Sequence, residues 1–216
     1  DAGRPMVFFS LPASGHDWMY APRWRRAGHR VALIPTSNYD ELERALRLLR
    51  VVPMMQQTRI LLFPPARGTA AACSPEEVKN HLGADVVAVE EKVFDDLITA
   101  ADPTAVQAEI DAWTRGAKEI LEPTKDDIEK AARVSVALDR LMEQEQADAL
   151  AIGTCMGWLP RGFPCLGFTR LRDRGVPAAC EGDMDSLLTM LLFQYALDQP
   201  GFQGNATFDT SRNVLW

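Results

Sequence analysis

Short runs of apolar residues recur along this chain, and each is stopped by proline, glycine or a small polar residue: "PMVFFSLP", "HRVALIP", "TRILLFPP", "ADVVAVE", "ADALAIG" and "GVPAAC". Within them apolar side chains do not alternate with polar ones. A strand apolar on both faces is buried on both faces, which is the habit of parallel sheets with helices above and below. Between the runs lie stretches with helical spacing. In "NYDELERALRLLR", Leu42, Ala45, Leu46, Leu48 and Leu49 share one broad face behind Asn38 or Asp40 as a cap. "SPEEVKNHLG" has Ser74 as cap, Pro75 at the first helical position and Gly83 as the stop. "PTAVQAEIDAWTRGAKEIL" and "TKDDIEKAARVSVALDRLMEQEQ" read as two long helices, the second opened by a capping-box variant of Thr124 and Asp127. "DWMYAPRWRRAG" is a short helix at best, because Pro22 interrupts it.

The order predicts an α/β fold of mainly parallel sheets with helices on both faces, in Rossmann-like layers. The 216 residues allow one large or two small domains. We place a boundary near residue 55, in "VVPMMQQ", between an N-terminal α/β segment (1–55) and an α/β domain (56–216). The chain begins at Asp1 without methionine or signal peptide, and "RNVLW" reads as a strand cut off in its apolar run, so the expectation is a piece of a longer protein.

Charge narrows the partners. The formal net charge is −7, with Lys and Arg scattered along the chain, which argues against nucleic acid and against an anionic membrane. No apolar stretch approaches the roughly 20 residues needed to span a bilayer. Cys73, Cys155, Cys165 and Cys180 are far apart and form no CxxC pair. Their apolar or small neighbours predict buried free thiols in a reducing, cytoplasmic compartment.

In open parallel sheets ligands gather outside the carboxyl ends of the strands. Two such ends carry polar groups: the loop from Thr154 to Trp158 with Arg161 beyond it, and the turn from Glu181 to Asp185. The first reads equally as a plain crossover or as a loop bringing a cation to a polar ligand. In the second, Asp183 stands where a helix cap belongs. Glu181 follows the last apolar strand residue directly and is followed by Gly182, which permits an unusual backbone angle. A carboxylate held there suits metal binding or proton transfer.

The segments "CEGDMDSLLTM" (180–190), "FQGN" (202–205) and "DTSRN" (209–213) resemble the CE-x-D-x-x-S-x-x-T-M, F-x-G-N/D and D-x-x-x-N segments of the L-fucose and L-arabinose isomerase-like superfamily. The resemblance extends back through "KDDIEKAARVSVALDRLMEQEQADALAIGTC" and "RILLFPPARG", covering residues 58 to 216. It implies a metal-dependent aldose–ketose isomerase acting on a pentose or 6-deoxyhexose through an enediol, with Mn2+ or another divalent cation as Lewis acid and a carboxylate as base. It also implies a homo-oligomer, trimer or hexamer, with sites at subunit boundaries.

Residue by residue, Glu181 is implied as metal ligand and proton-transfer group. The family's second acid falls where this chain has Asn205, an amide that can bind a metal through its oxygen but cannot act as a base, so either Asp209 is the catalytic and metal-binding substitute or the site is weakened. Trp158, Arg161, Asn205 and His16 are the expected sugar contacts. The family pattern continues with a metal-binding histidine and a β-rich domain, neither found in these 216 residues. His29, before a strand, and His81, near a helix end, have structural explanations, as do the indoles of Trp18, Trp24 and Trp113. The competing expectations are a sugar-binding α/β module without chemistry and an incomplete fragment of an isomerase.

Overall fold

A computed structural model describes residues 4–14, 16–154 and 160–215. The chain divides into two compact units, Asp1–Met54 with Tyr195–Leu197, and Met55–Gln194 with Asp198–Trp216.

In the first unit, β1 (Met6–Ser10) and β2 (Val31–Pro35) pair in parallel, Met6 opposite Val31 through Ser10 opposite Pro35. Between them runs α1 (Ala21–Arg26). Pro22 opens this helix instead of interrupting it, because its missing N–H is one the first turn leaves unbonded anyway. The Trp24 ring packs 4.7 Å from Phe8 and 5.9 Å from Tyr20. Then α2 (Tyr39–Gln57) carries Pro53 in its interior. It continues through "VVPMMQQ", so the stretch chosen for a boundary is helical and the two units part inside it, between Met54 and Met55.

The second unit is built on a four-stranded parallel sheet in the order β4-β3-β5-β6: β3 (Arg59–Phe63), β4 (Asp85–Ala88), β5 (Ala149–Ile152) and β6 (Ala178–Ala179). The link from β3 to β4 is α3 (Pro75–Leu82). Ser74 Oγ caps it by accepting from the Glu77 N–H at 3.2 Å, and Gly83 ends it at φ +83°. The link from β4 to β5 holds α4 (Glu91–Thr99), α5 (Pro103–Gly116) and α6 (Lys125–Gln144). The capping box of Thr124 and Asp127 is complete: the Asp127 N–H donates to Thr124 Oγ1 at 3.2 Å and the Thr124 N–H to Asp127 Oδ2 at 2.8 Å. Between β5 and β6 lies α7 (Cys165–Asp173), and after β6 comes α8 (Met184–Leu197). Neither α4 nor α7 is expected from the spacing, and α5 ends at Gly116, short of the predicted "AKEIL".

One face of the sheet buries Leu61, Phe63, Leu150 and Ile152 against Phe94 of α4, Val134, Leu138 and Leu141 of α6, and Phe168 and Leu171 of α7. Ile60, Leu62, Ala149 and Ala151, which alternate with them, are buried as well. The sheet is therefore covered on both faces, as its uninterrupted apolar runs require.

The terminal "NVLW" contributes Val214–Leu215 (β8), paired antiparallel with Phe208–Asp209 (β7). No helix among the described residues is long and apolar enough to cross a membrane.

Candidate functional site

The strand order reverses between β3 and β5, since the chain leaves β3 for β4 on one side and returns to β5 on the other. At such a switch point the loops beyond the strand carboxyl ends diverge. Here they are tied together. The loop after β3 runs from Pro64 to Thr69, with a cis peptide between Pro64 and Pro65. Arg67 forms a parallel bridge with Asp183: its N–H donates to Gly182 O at 2.7 Å, and its carbonyl accepts from the Met184 N–H at 2.9 Å. Because β5 lies between β3 and β6 in the sheet, this loop passes over the end of β5.

Gly153 makes that passage feasible. A Cβ there would lie 2.6 Å from Pro65 O and 2.8 Å from Phe63 O, closer than carbon and backbone oxygen tolerate. Gly182, at φ +65°, meets the same Pro65 carbonyl from the other side. Two glycines thus let three loops pack backbone against backbone.

On this platform sits Glu181. Its backbone is left-handed, φ 59° and ψ 19°, a conformation a residue with a side chain adopts at a cost of about 1 kcal/mol. Its carboxylate is half-exposed and lies 3.9 Å from the Arg67 guanidinium, itself more than half-exposed. A pair this long and this wet contributes little to stability, about 0–1 kcal/mol, so its arrangement is available for a ligand.

The acids around Glu181 are otherwise engaged. Asp183 caps α8, accepting from the Ser186 N–H at 2.9 Å and from the Ser186 hydroxyl. Asp185 holds Thr69: its Oδ2 accepts the backbone N–H at 2.6 Å and its Oδ1 the hydroxyl at 2.8 Å. Gln203 reaches the same turn through hydrogen bonds to Cys180 and Asp183. Beside it, a groove of about 510 Å3 opens between Asp185, Ser186 and Thr189 of α8 and the segment Pro200–Phe202, floored by Met190 and Phe193.

The expected site residues are distributed unevenly. Glu181 stands just past the carboxyl end of β6, the place after a strand that the sequence assigns it. Asp209 lies in the β7–β8 hairpin, where its Oδ1 accepts from the Ser211 N–H at 3.0 Å and hydroxyl at 2.6 Å. The Ser211 hydroxyl in particular holds the Asp209 carboxyl below the ordinary aspartate range. Among the described residues no hydrogen bond or ion pair joins it to Glu181, and Asn205 is exposed in the segment before the hairpin. Arg161 pairs with α4, bonding Asp95 and lying 3.0 Å from Glu91. His16 is exposed in the first unit, ahead of the 3-10 turn Asp17–Met19. Trp158 lies outside the described residues, as does Cys155.

Sequence reasoning passed over Arg67 and Thr69 and gave no separate role to Asp185 or Gln203. For Arg67 a signal existed, a cation two residues past "FPP" and followed by glycine at a strand's carboxyl end. Cys73, Cys165 and Cys180 are free thiols as expected, but Cys165 is exposed and the other two are half-buried.

The metal implied by the resemblance needs several oxygen or imidazole donors. Glu181 offers one. Both oxygens of Asp185 are used by Thr69, Asp183 is used in capping α8, and Asp209 in its own hairpin. Among the described residues no three His, Cys, Asp or Glu side chains converge to hold an ion. This donor set does not fit a divalent cation by itself.

No family model matches this sequence and no curated protein matches it.

Proposed function

We propose that the platform over β5 binds an open-chain sugar and that the protein is an aldose–ketose isomerase of the fucose and arabinose type, with Glu181 as the proton carrier. The observation that carries this reading is the placement of the Glu181 carboxylate: half-exposed, just past the carboxyl end of β6 and beside the loop that crosses β5, on a left-handed backbone angle that costs energy. Backbone strain retained at a strand's carboxyl end is typical of residues that meet ligands.

The chemistry balances without an external redox partner. The Glu181 carboxylate takes the proton from C2 of the aldose, and the electrons of that C–H bond form the C1–C2 double bond of the enediol as O1 takes a proton from water. Glu181, whose acquired proton exchanges with water while the enediol is bound, then protonates C1, and the O2 proton passes to water, which leaves a ketone at C2 and no net change in protons. Arg67, 3.9 Å from the Glu181 carboxylate, favours negative charge on substrate oxygens during the transfer. The groove between α8 and Pro200–Phe202 has room for the rest of a sugar chain.

Any divalent ion at Glu181 would draw its other ligands from sugar oxygens, water or a second copy of the chain, in keeping with an oligomer whose sites lie at subunit boundaries. The free thiols support a reducing, cytoplasmic setting.

A second reading rests on Arg67. A cation against Glu181 disfavours a metal and favours hydroxyl or carboxylate oxygens, so the same site suits a sugar or sugar acid bound without turnover. Pentoses and 6-deoxyhexoses incubated with Mn2+ and, separately, with EDTA distinguish the two. Metal-dependent ketose formation supports the isomerase, whereas EDTA-insensitive binding without ketose overturns it in favour of the binding module.

A further inference from the structure

We propose that Gln203 is a positioning residue: its carboxamide clamps Cys180 and thereby holds Glu181 in its left-handed conformation. The proposal rests on the reading of Glu181 as the functional carboxylate. The four bonds of this amide are complete. Oε1 accepts from the Cys180 N–H at 2.8 Å and from the Arg172 guanidinium at 3.2 Å. Nε2 donates to the Cys180 carbonyl at 3.2 Å and to Asp183 Oδ2 at 3.3 Å.

The orientation of the amide follows from its neighbours. Arg172 and the Cys180 N–H can only donate and the Cys180 carbonyl can only accept, so the oxygen must face the first two and the nitrogen the last. Arg172 is fixed in turn by its bonds to Ala178 O and lies 5.9 Å over the Phe168 ring.

Bonding both the N–H and the C=O of one residue is what a neighbouring strand does in a ladder. Because β6 is the edge of its sheet, Gln203 supplies from a side chain the partner that the next strand would have been. Cys180 is thereby pinned on one side of Glu181. Gly182 is pinned on the other by the Arg67 N–H, and Asp183 by Gln203 and by its cap. Glu181 is spanned by fixed neighbours, so its angle is set before any ligand arrives.

The test uses Gln203→Met, which keeps length and loses every hydrogen bond, and Gln203→Glu, which keeps the acceptors but sets a carboxylate against Asp183. Amide exchange and NMR are read at Cys180 and Glu181, with kcat and KM for the best aldose. In Gln203→Met the Cys180 amide should exchange about 10-fold faster, the Glu181 amide signal should move, and kcat should fall about 10- to 100-fold with KM within about threefold. Gln203→Glu, which keeps the bond from the Cys180 N–H and loses those to the Cys180 carbonyl and Asp183, should leave the Cys180 amide protected and lower kcat less than Gln203→Met does. Unchanged Cys180 exchange and an unmoved Glu181 signal in Gln203→Met would overturn the proposal. If the wild type neither binds nor converts any sugar, the isomerase reading falls by itself, while the two amides still decide whether Gln203 sets the turn.

Discussion

Thr69 and Asp185, 116 positions apart, are joined by two hydrogen bonds, one from the Thr69 backbone N–H and one from its hydroxyl, each to a different carboxylate oxygen. The contact fastens the loop after β3 to the first turn of α8, where a negative charge also favours the helix dipole. Asp185→Ala should lower unfolding free energy by about 1–2 kcal/mol in urea titrations, and Thr69→Val by about half of that, since the backbone bond survives.

Gly182 makes a sharper prediction because two costs coincide there. A Cβ at φ +65° would also overlap the Pro65 carbonyl. Gly28 has a similar angle, φ +88°, with nothing within 4 Å of the added carbon. Gly28→Ala should cost about 1 kcal/mol, the backbone term alone. Gly182→Ala should cost about 1–3 kcal/mol more, read as denaturation midpoints of the two variants.

Acid should weaken the second unit partly through Asp95. Hydrogen bonding from Arg161 holds the Asp95 carboxyl below its ordinary value of 3.8. A depressed carboxyl contributes stability that is present above the unfolded-state value and lost as pH falls through the folded-state value. In Arg161→Met that contribution is gone at neutral pH, so its stability should fall less steeply than the wild type's below the ordinary aspartate value. Parallel slopes for the two proteins in acid would refute the pairing.

Arg67 separates stability from binding. Its ion pair with Glu181 is long and exposed, so Arg67→Met should change unfolding free energy by less than about 1 kcal/mol. If the proposed site binds a sugar, its affinity should nonetheless drop about 10-fold, because the cation lies 3.9 Å from the Glu181 carboxylate. Calorimetric titration against the best-bound sugar reads it.

Much of the layer architecture is legible in the residues because it is local. The runs "RILLF" and "ALAI" are apolar on both faces since they lie inside a covered sheet. Ser74, Gly83, Thr124 and Asp127 mark helix ends by hydrogen bonds made within a few residues.

What stays hidden is non-local. In α7 the sequence "PCLGFTRLRD" looks like loop because of its glycine and proline. Yet Pro164 only precedes the helix, and Gly167 packs tightly against α6, with Leu138 2.7 Å from where a Cβ would stand. In α4 the apolar residues Val93, Phe94, Leu97 and Ile98 carry a short helical stripe, but "EEKVFDDLITAAD" is charged enough to pass for a connection. At the site, Glu181 and the Asp183 cap follow from their place after a strand. Thr69 with Asp185 and Gln203 with Cys180 depend on chain segments meeting across 116 and 23 positions, which no spacing rule encodes.

The most direct measurement is deuterium incorporation at C2 of a pentose or 6-deoxyhexose in D2O with Mn2+, followed by NMR for the wild type and for Glu181→Gln. The isomerase reading predicts exchange at C2 and ketose formation by the wild type, and loss of both in Glu181→Gln, whose amide cannot take up the proton. Exchange that persists in the folded variant would contradict the role given to Glu181.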